Sequence, residues 1–290
     1  MENSGQRLNR YRSLGIEPGK AICYSGYREG QSPDLEVYPS YAQVKEDLYI
    51  LQHQWKYIRL YDCSKHAEIV LDVIQSEQLD FKLMPGAYIG AEMNNFGCRW
   101  GGVYSENELN QNKEKNPEQI RKLIKLANQY PGIVFSLSAG NEATVGWTDH
   151  FVPVEKVIEY VRLIKRETTQ PVTFCENYVP WHSKLKNLIE EVDFISIHTY
   201  PVWEYKDIYE ALEYTKQNYS GAADKYPHKP VVITEAGWAT HSNGRGIGPE
   251  SASEEFQEIY YHELVIWSEQ EGIIRMSQKQ NFVITTMKLK

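Results

Sequence analysis

Short apolar runs recur along this chain at intervals of roughly 25–45 residues, each followed by an amphipathic stretch, which is the rhythm of repeated βα units. Seven runs predict strands: Ala21–Tyr24, Tyr57–Tyr61, Lys82–Ala87, Val134–Ser138, Val172–Cys175, Phe194–His198 and Val231–Thr234. Helices are predicted at Tyr41–Gln54, Ala67–Glu77, Pro117–Gln129, Val154–Glu167 and Ile208–Asn218, and a long one at Ser253–Glu271 closes the series. Asn116-Pro117 reads as a cap before a first-turn proline, and Ser251-Ala252-Ser253-Glu254 fits a capping box. Strands in this rhythm, with polar residues gathered just after each, predict an α/β fold of the (β/α)8 TIM-barrel type, with its site at the C-terminal ends of the strands. The competitor is a doubly wound open sheet, expected to show a glycine-rich phosphate turn after its first strand. Here that place is taken by Ser25-Gly26-Tyr27-Arg28-Glu29-Gly30, which lacks the spacing. With no linker, low-complexity tract or repeat to divide the chain, one domain over residues 1–290 is expected.

The formal charge of -8 and a pI near 5.6 lack the basic footprint that a nucleic-acid partner requires. The 21 Tyr and 7 Trp are more telling, because their flat faces suit the apolar faces of sugar rings. Most tyrosines nevertheless pack the core in any protein of this size. Cys23, Cys63, Cys98 and Cys175 are widely spaced without a Cys-x-x-Cys pair, so neither a disulfide framework nor a zinc site is expected. No run is long enough to span a membrane, and Met1–Arg7 lacks an apolar leader, so the chain as given is expected to be cytoplasmic. A removed leader would leave the same trace and a secreted or periplasmic protein.

Two of the runs end abruptly in a carboxylate. Glu142 follows the run from Val134 through Gly140-Asn141, and Glu235 follows Pro230-Val231-Val232-Ile233-Thr234. An ionised carboxylate beside a core is expensive without partners. Each glutamate alone also fits a helix cap or a surface residue. As a pair, at the ends of the fourth and seventh strands of a barrel, they face each other across its mouth. That is the arrangement by which one carboxyl protonates a leaving oxygen while another attacks the anomeric carbon. The other strand ends offer Tyr24, Arg59, Tyr61, Asp62, Tyr88, Glu92, Asn141, Glu176, Asn177, Tyr178, His198, Tyr200 and Trp238, an inventory for binding sugars and not metals. No lysine ends a strand, which argues against a Schiff-base aldolase.

Gly140-Asn141-Glu142 and Thr234-Glu235-Ala236-Gly237-Trp238 resemble the signatures of glycoside hydrolase family 17, the β-1,3-glucanase family. The likeness runs from Ile22-Cys23-Tyr24 through Tyr57-Ile58-Arg59-Leu60-Tyr61-Asp62 to the helix ending near Glu271. The resemblance implies a retaining (β/α)8 glycosidase without a cofactor, acting on β-1,3-glucan of the laminarin type, or a β-glucan transglycosylase. It casts Glu142 as acid/base and Glu235 as nucleophile. Tyr200 would hydrogen-bond the nucleophile, while Tyr24, Arg59, Asn141 and Trp238 would shape the cleft. Beside these, His198 fits either a cleft lining or a core histidine. Glu176 fits a sugar hydroxyl or a pairing with Arg59. Trp147, Trp181 and Trp203 fit sugar platforms or packing, and Asp62 reads as structural.

The last segment departs from the family. An apolar-aromatic strand and a final helix are expected after Gly272, but the chain continues Ile273-Ile274-Arg275-Met276-Ser277 into a polar stretch. Asn281–Met287 could still form a strand by its β-branched content, but it sits about ten residues late. An incomplete or aberrant eighth βα unit over residues 273–290 is therefore expected, with bare edges on the first and seventh strands. Such a product would be less stable and less active, down to a catalytically impaired carbohydrate-binding relic.

Overall fold

The computed structural model describes residues 3–242 and 248–277. Its strands are β1 (Ala21–Cys23), β2 (Tyr57–Arg59), β3 (Lys82–Met84), β4 (Leu137–Asn141), β5 (Val172–Asn177), β6 (Ile195–Thr199), β7 (Val231–Ala236) and β8 (Arg275–Ser277). They form one parallel sheet in the order β3-β2-β1-β8-β7-β6-β5-β4. The two ends of that order meet through the isolated parallel bridges Leu83↔Val134 and Gly86↔Ser138, so the sheet closes nearly full circle as a (β/α)8 barrel with a lightly sealed seam.

The eighth strand corrects the expectation of bare edges. Met276 pairs with Ala21 of β1, and Arg275 pairs with Ile233 of β7, so both neighbours are covered. The strand escapes sequence reading because it is only three residues long and opens on a charge. Arg275 is nonetheless buried: its guanidinium donates to Ser268 Oγ (2.8 Å) and Ser277 Oγ (2.5 Å) and lies 5.7 Å from the Tyr261 ring centroid. The late strand expected at 281–287 and any eighth helix lie outside the described residues.

Alternation along the strands divides the core in two. Ala21, Cys23, Tyr57, Met84, Cys175, Phe194, Val232 and Met276 cluster inside the barrel. Their neighbours Ile22, Ile58, Leu83, Phe174, Ile195 and Ile233 belong to the larger core between sheet and helices. That outer layer is built from α2 (Tyr41–Leu51), α3 (Lys65–Ser76), α4 (Glu106–Gln129), α5 (Val154–Glu167), α8 (Ile208–Lys225) and α9 (Glu254–Glu271), with the short α6 (Tyr178–Trp181) and α7 (Lys186–Ile189) after β5. Among the described residues no helix is long and apolar enough to cross a membrane.

Besides the short α6 and α7 and a longer α8, two helices depart from expectation in how they begin. A first helix, α1 (Ser4–Ser13), has no apolar run to announce it, yet Asn3 and Gln6 form a capping box at its start. It closes the N-terminal end of the barrel: Tyr11 is fully buried and its hydroxyl donates to the Val231 carbonyl at 2.5 Å. Helix α4 begins at a capping box of Ser105 and Glu108, eleven residues before Pro117, which lies inside it. Asn116 is no cap. Its buried amide donates to the Gly90 carbonyl and Glu92 Oε1, fastening the long β3–α4 loop to the helix.

Candidate active site

The two strands that end in glutamates share a backbone device. On β4, Ser138 pairs with Thr173 and Asn141 with Cys175, leaving two residues opposite one. On β7, Ile233 pairs with Ile197 and Glu235 with His198, so one residue is again extra. Each is a bulge that re-aims the side chains beyond it. Gly140 is required in the first. Its φ is +155°, and a Cβ there would stand 2.8 Å from Phe174 Cε2 and 2.9 Å from Ile89 Cδ1. Glu142 follows in left-handed backbone with φ 47°, a strain on the order of 1–3 kcal/mol for a residue with a side chain.

Glu235 is nearly buried and held by three groups. Arg59 Nη1 donates to its Oε1 at 2.6 Å, and the Tyr200 hydroxyl donates to Oε2 at 2.5 Å. The third contact is His198 Nε2, 3.3 Å from Oε1, without the alignment of a hydrogen bond. Burial alone would raise the carboxyl pKa, but the His198 and Arg59 charges and the Tyr200 bond bring it below the ordinary value. Arg59 uses its other terminal nitrogen on Asn141 Oδ1 (2.6 Å) and lies 4.8 Å from the Tyr61 ring centroid. The guanidinium thus joins the end of β4 to the end of β7.

His198 joins them a second time. Its Nδ1 lies 2.8 Å from Glu142 Oε1 while Nε2 faces Glu235, so one fully buried imidazole touches both carboxylates. Burial opposes its charge, yet Glu235, Cys175 and Glu142 outweigh that and raise its pKa to about 10. Glu142 is the more open member of the pair, with its side chain 29% accessible. Arg59, Asn141, Glu142, His198, Tyr200 and Glu235 are therefore joined in one network, and His198 is a bridge between carboxylates and not an isolated core residue.

Three expected cleft residues are elsewhere. Tyr24 follows the inward Cys23 and so points outward, where its hydroxyl donates to Asp47 Oδ2 (2.7 Å) and its ring meets His66. Glu176 follows the inward Cys175 and is likewise turned away, with no exposure. It accepts from Thr144 N (2.8 Å), Thr144 Oγ1 (2.7 Å) and Asn177 N (2.7 Å), bracing the loop after Glu142 and touching neither Arg59 nor the cleft. Burial, then the Glu142 charge, push its carboxyl up to about 7 against those donors. Trp238 is buried against Phe256 and Tyr260 of α9, and its indole donates to the Ser251 carbonyl. Trp181 is also packing, donating to the Ser196 carbonyl, whereas Trp147, Trp203 and Tyr88 are exposed by a third or more. Asp62 accepts from the Ser64 amide, as a structural residue. Among the described residues no cluster of His, Cys, Asp and Glu is placed to hold a metal.

Residues 21–284 match the BtgE/BtgC glycoside hydrolase domain. A β-glucuronidase of Streptococcus agalactiae serotype V is 27% identical over 157 residues, which are 53% of this chain and 25% of that protein. The chain thus spans only about a quarter of that relative's length. Its fold is similar to an endo-laminarinase from Formosa Hel1_33_131, with a TM-score of 0.75 at 24% identity over 89% of this chain and 77% of the other. It is also similar to a glycoside hydrolase family 17 β-1,3-glucanosyltransferase from Rhizomucor miehei, with a TM-score of 0.68 at 19% identity over 88% and 84%.

Proposed function

The chain belongs to the BtgE/BtgC glycoside hydrolase domain family, and from that premise we propose that it is a retaining glycosidase acting on β-1,3-glucan of the laminarin type. The observation that carries this reading is the asymmetric pair of carboxylates on one imidazole. Glu235 is buried and kept ionised by Arg59, His198 and Tyr200, as a nucleophile should be, while Glu142 is open to an incoming glycosidic oxygen. In the first half-reaction the Glu235 carboxylate bonds the anomeric carbon. The C1–O bond breaks as Glu142 gives its proton to the leaving oxygen. In the second, Glu142 takes a proton from an acceptor hydroxyl whose oxygen bonds C1, releasing Glu235 as carboxylate. Water as acceptor gives hydrolysis; a second sugar gives transglycosylation. The glucan reading draws on the laminarinase and glucanosyltransferase folds, and on the site's charges. Among the described residues at the paired carboxylates, Arg59 and His198 are engaged with Glu235, Asn141 and Glu142, which leaves neither free to hold the carboxylate of a uronic acid.

Incubation with a 2-deoxy-2-fluoro β-laminaribiosyl fluoride tests it. The expected result is a mass increase of one fluorinated laminaribiosyl group, a disaccharide, per chain on the peptide bearing Glu235, absent in Glu235→Ala, which should also release no reducing sugar from laminarin. Turnover of laminarin by Glu235→Ala, or an α-anomer as the first product by proton NMR, would sink the assignment.

A further inference from the structure

The β4–α5 loop, residues 142–153, holds a histidine that no motif or periodicity marks. His150 Nδ1 lies 2.7 Å from Asp149 Oδ1 and 3.2 Å from Thr148 Oγ1, and its Nε2 lies 2.9 Å from the main-chain oxygen of Asn141. The ring thus bridges the Asp149 carboxylate and the Asn141 carbonyl, one through each nitrogen. The far edge of the same peptide unit is also held, because the Glu142 N–H donates to the Cys175 carbonyl of β5 at 2.9 Å. The peptide plane leading into Glu142 is therefore gripped from β5 on one edge and from His150 on the other. This is the peptide that enters the left-handed backbone of Glu142. Tyr88, half-exposed on the β3–α4 loop, lies against the imidazole at 5.3 Å between ring centroids.

We propose that His150, oriented by Asp149, is a positioning residue for proton transfer by Glu142, acting through the Asn141 carbonyl. It does not touch the reacting atoms. Its part is to stop the Asn141–Glu142 peptide from rotating, and so to keep the Glu142 carboxyl where the glycosidic oxygen arrives. A displacement of about 1 Å at such a group costs roughly 100-fold in rate. The inference rests on the reading of Glu142 as acid/base.

Aryl β-laminaribiosides separate this role from a general loss of structure, because a dinitrophenolate leaves without a proton and a phenolate needs one. His150→Phe keeps the ring's bulk and its stacking on Tyr88 but removes both nitrogens. Its kcat/KM for phenyl β-laminaribioside should fall roughly 10- to 100-fold, and for the 2,4-dinitrophenyl glycoside by less than about threefold. His150→Gln, which returns an N–H near the position of Nε2, should recover most of the loss. Equal losses on both substrates, or no recovery in the glutamine variant, would overturn the proposal. Glu142→Ala serves as the reference. If it too loses both substrates equally, the acid/base reading itself fails. The positioning claim is then decided by a crystal structure of His150→Phe, where an unmoved Asn141–Glu142 peptide would refute it.

Discussion

His198 sets the electrostatics of the site because it lies against both carboxylates at once. Glu235, Cys175 and Glu142 favour the imidazolium strongly enough to overcome complete burial. Its folded pKa of about 10 stands above the unfolded value of ~6.5, so its contribution to stability is complete below ~6.5 and is lost as pH rises through 10. Glu235, depressed in the folded state, contributes in the opposite sense, above its unfolded pKa and less as the pH falls. Thermal unfolding between pH 6 and 10 should show the wild type losing an advantage over His198→Gln that is largest at the acid end. Parallel melting curves across that range would contradict it. The two glutamates were legible in sequence because a carboxylate closing an apolar strand needs partners to be tolerated there. His198 was only half legible: its position on β6 was evident, but contact with both carboxylates depends on where β4 and β7 finish.

Strand alternation explains both what the sequence revealed and what it concealed at the level of elements. Arg59, His198 and the thiols of Cys23 and Cys175 fall inside the barrel by simple parity. Tyr24 and Glu176 fall outside by the same parity, and a strand-end inventory that ignores parity assigns them to the cleft. The bulges are harder to foresee, because an extra residue is defined only against the neighbouring strand. Thr234 and Glu235 illustrate this: Thr234 Oγ1 meets Ser196 Oγ at 2.5 Å, and Glu235, the next residue, still reaches Arg59 and His198. Gly140→Ala tests the β4 bulge. Its methyl group would push on Phe174 and Ile89 in a conformation that suits glycine, so a destabilisation of about 1–3 kcal/mol is expected. Denaturant unfolding measures that cost. Laminarin turnover of the folded fraction should fall as well, since Glu142 lies two residues beyond. A fully active variant would show that the bulge does not aim the carboxylate.

Among the described residues, the seam between β3 and β4 is the one place in the barrel where neighbouring strands are joined by isolated bridges and not by a ladder. Strand β8, short as it is, pairs on both sides, whereas β3 and β4 meet only in isolated bridges. The bonds across that seam run from Leu83 N to Ile133 O, Phe135 N to Leu83 O, Ala87 N to Ser138 O and Ser138 N to Pro85 O. Outside it, α3 and α4 flank a groove of about 640 Å³ lined by Ile69, Leu126 and Tyr130 together with Lys65, Arg121 and Lys122. Strands joined by isolated bridges beside an open groove have a lower free energy of local opening than of global unfolding. Away from the seam the sheet is built differently: β6 and β7 pair continuously from Ile195↔Val231 to Thr199↔Ala236 apart from the bulge, under α8. Native-state hydrogen exchange should therefore release the amides of Leu83, Ala87, Phe135 and Ser138 through a sub-global opening. That of Ile195, which donates to the Pro230 carbonyl at the start of the β6–β7 ladder, should exchange only with unfolding of the whole chain. Because Glu142 lies beyond β4 and Arg59 beside β3, such an opening would separate the two halves of the site. Equal protection on both sides would show instead that the outer core holds the seam as firmly as the ladder holds the rest.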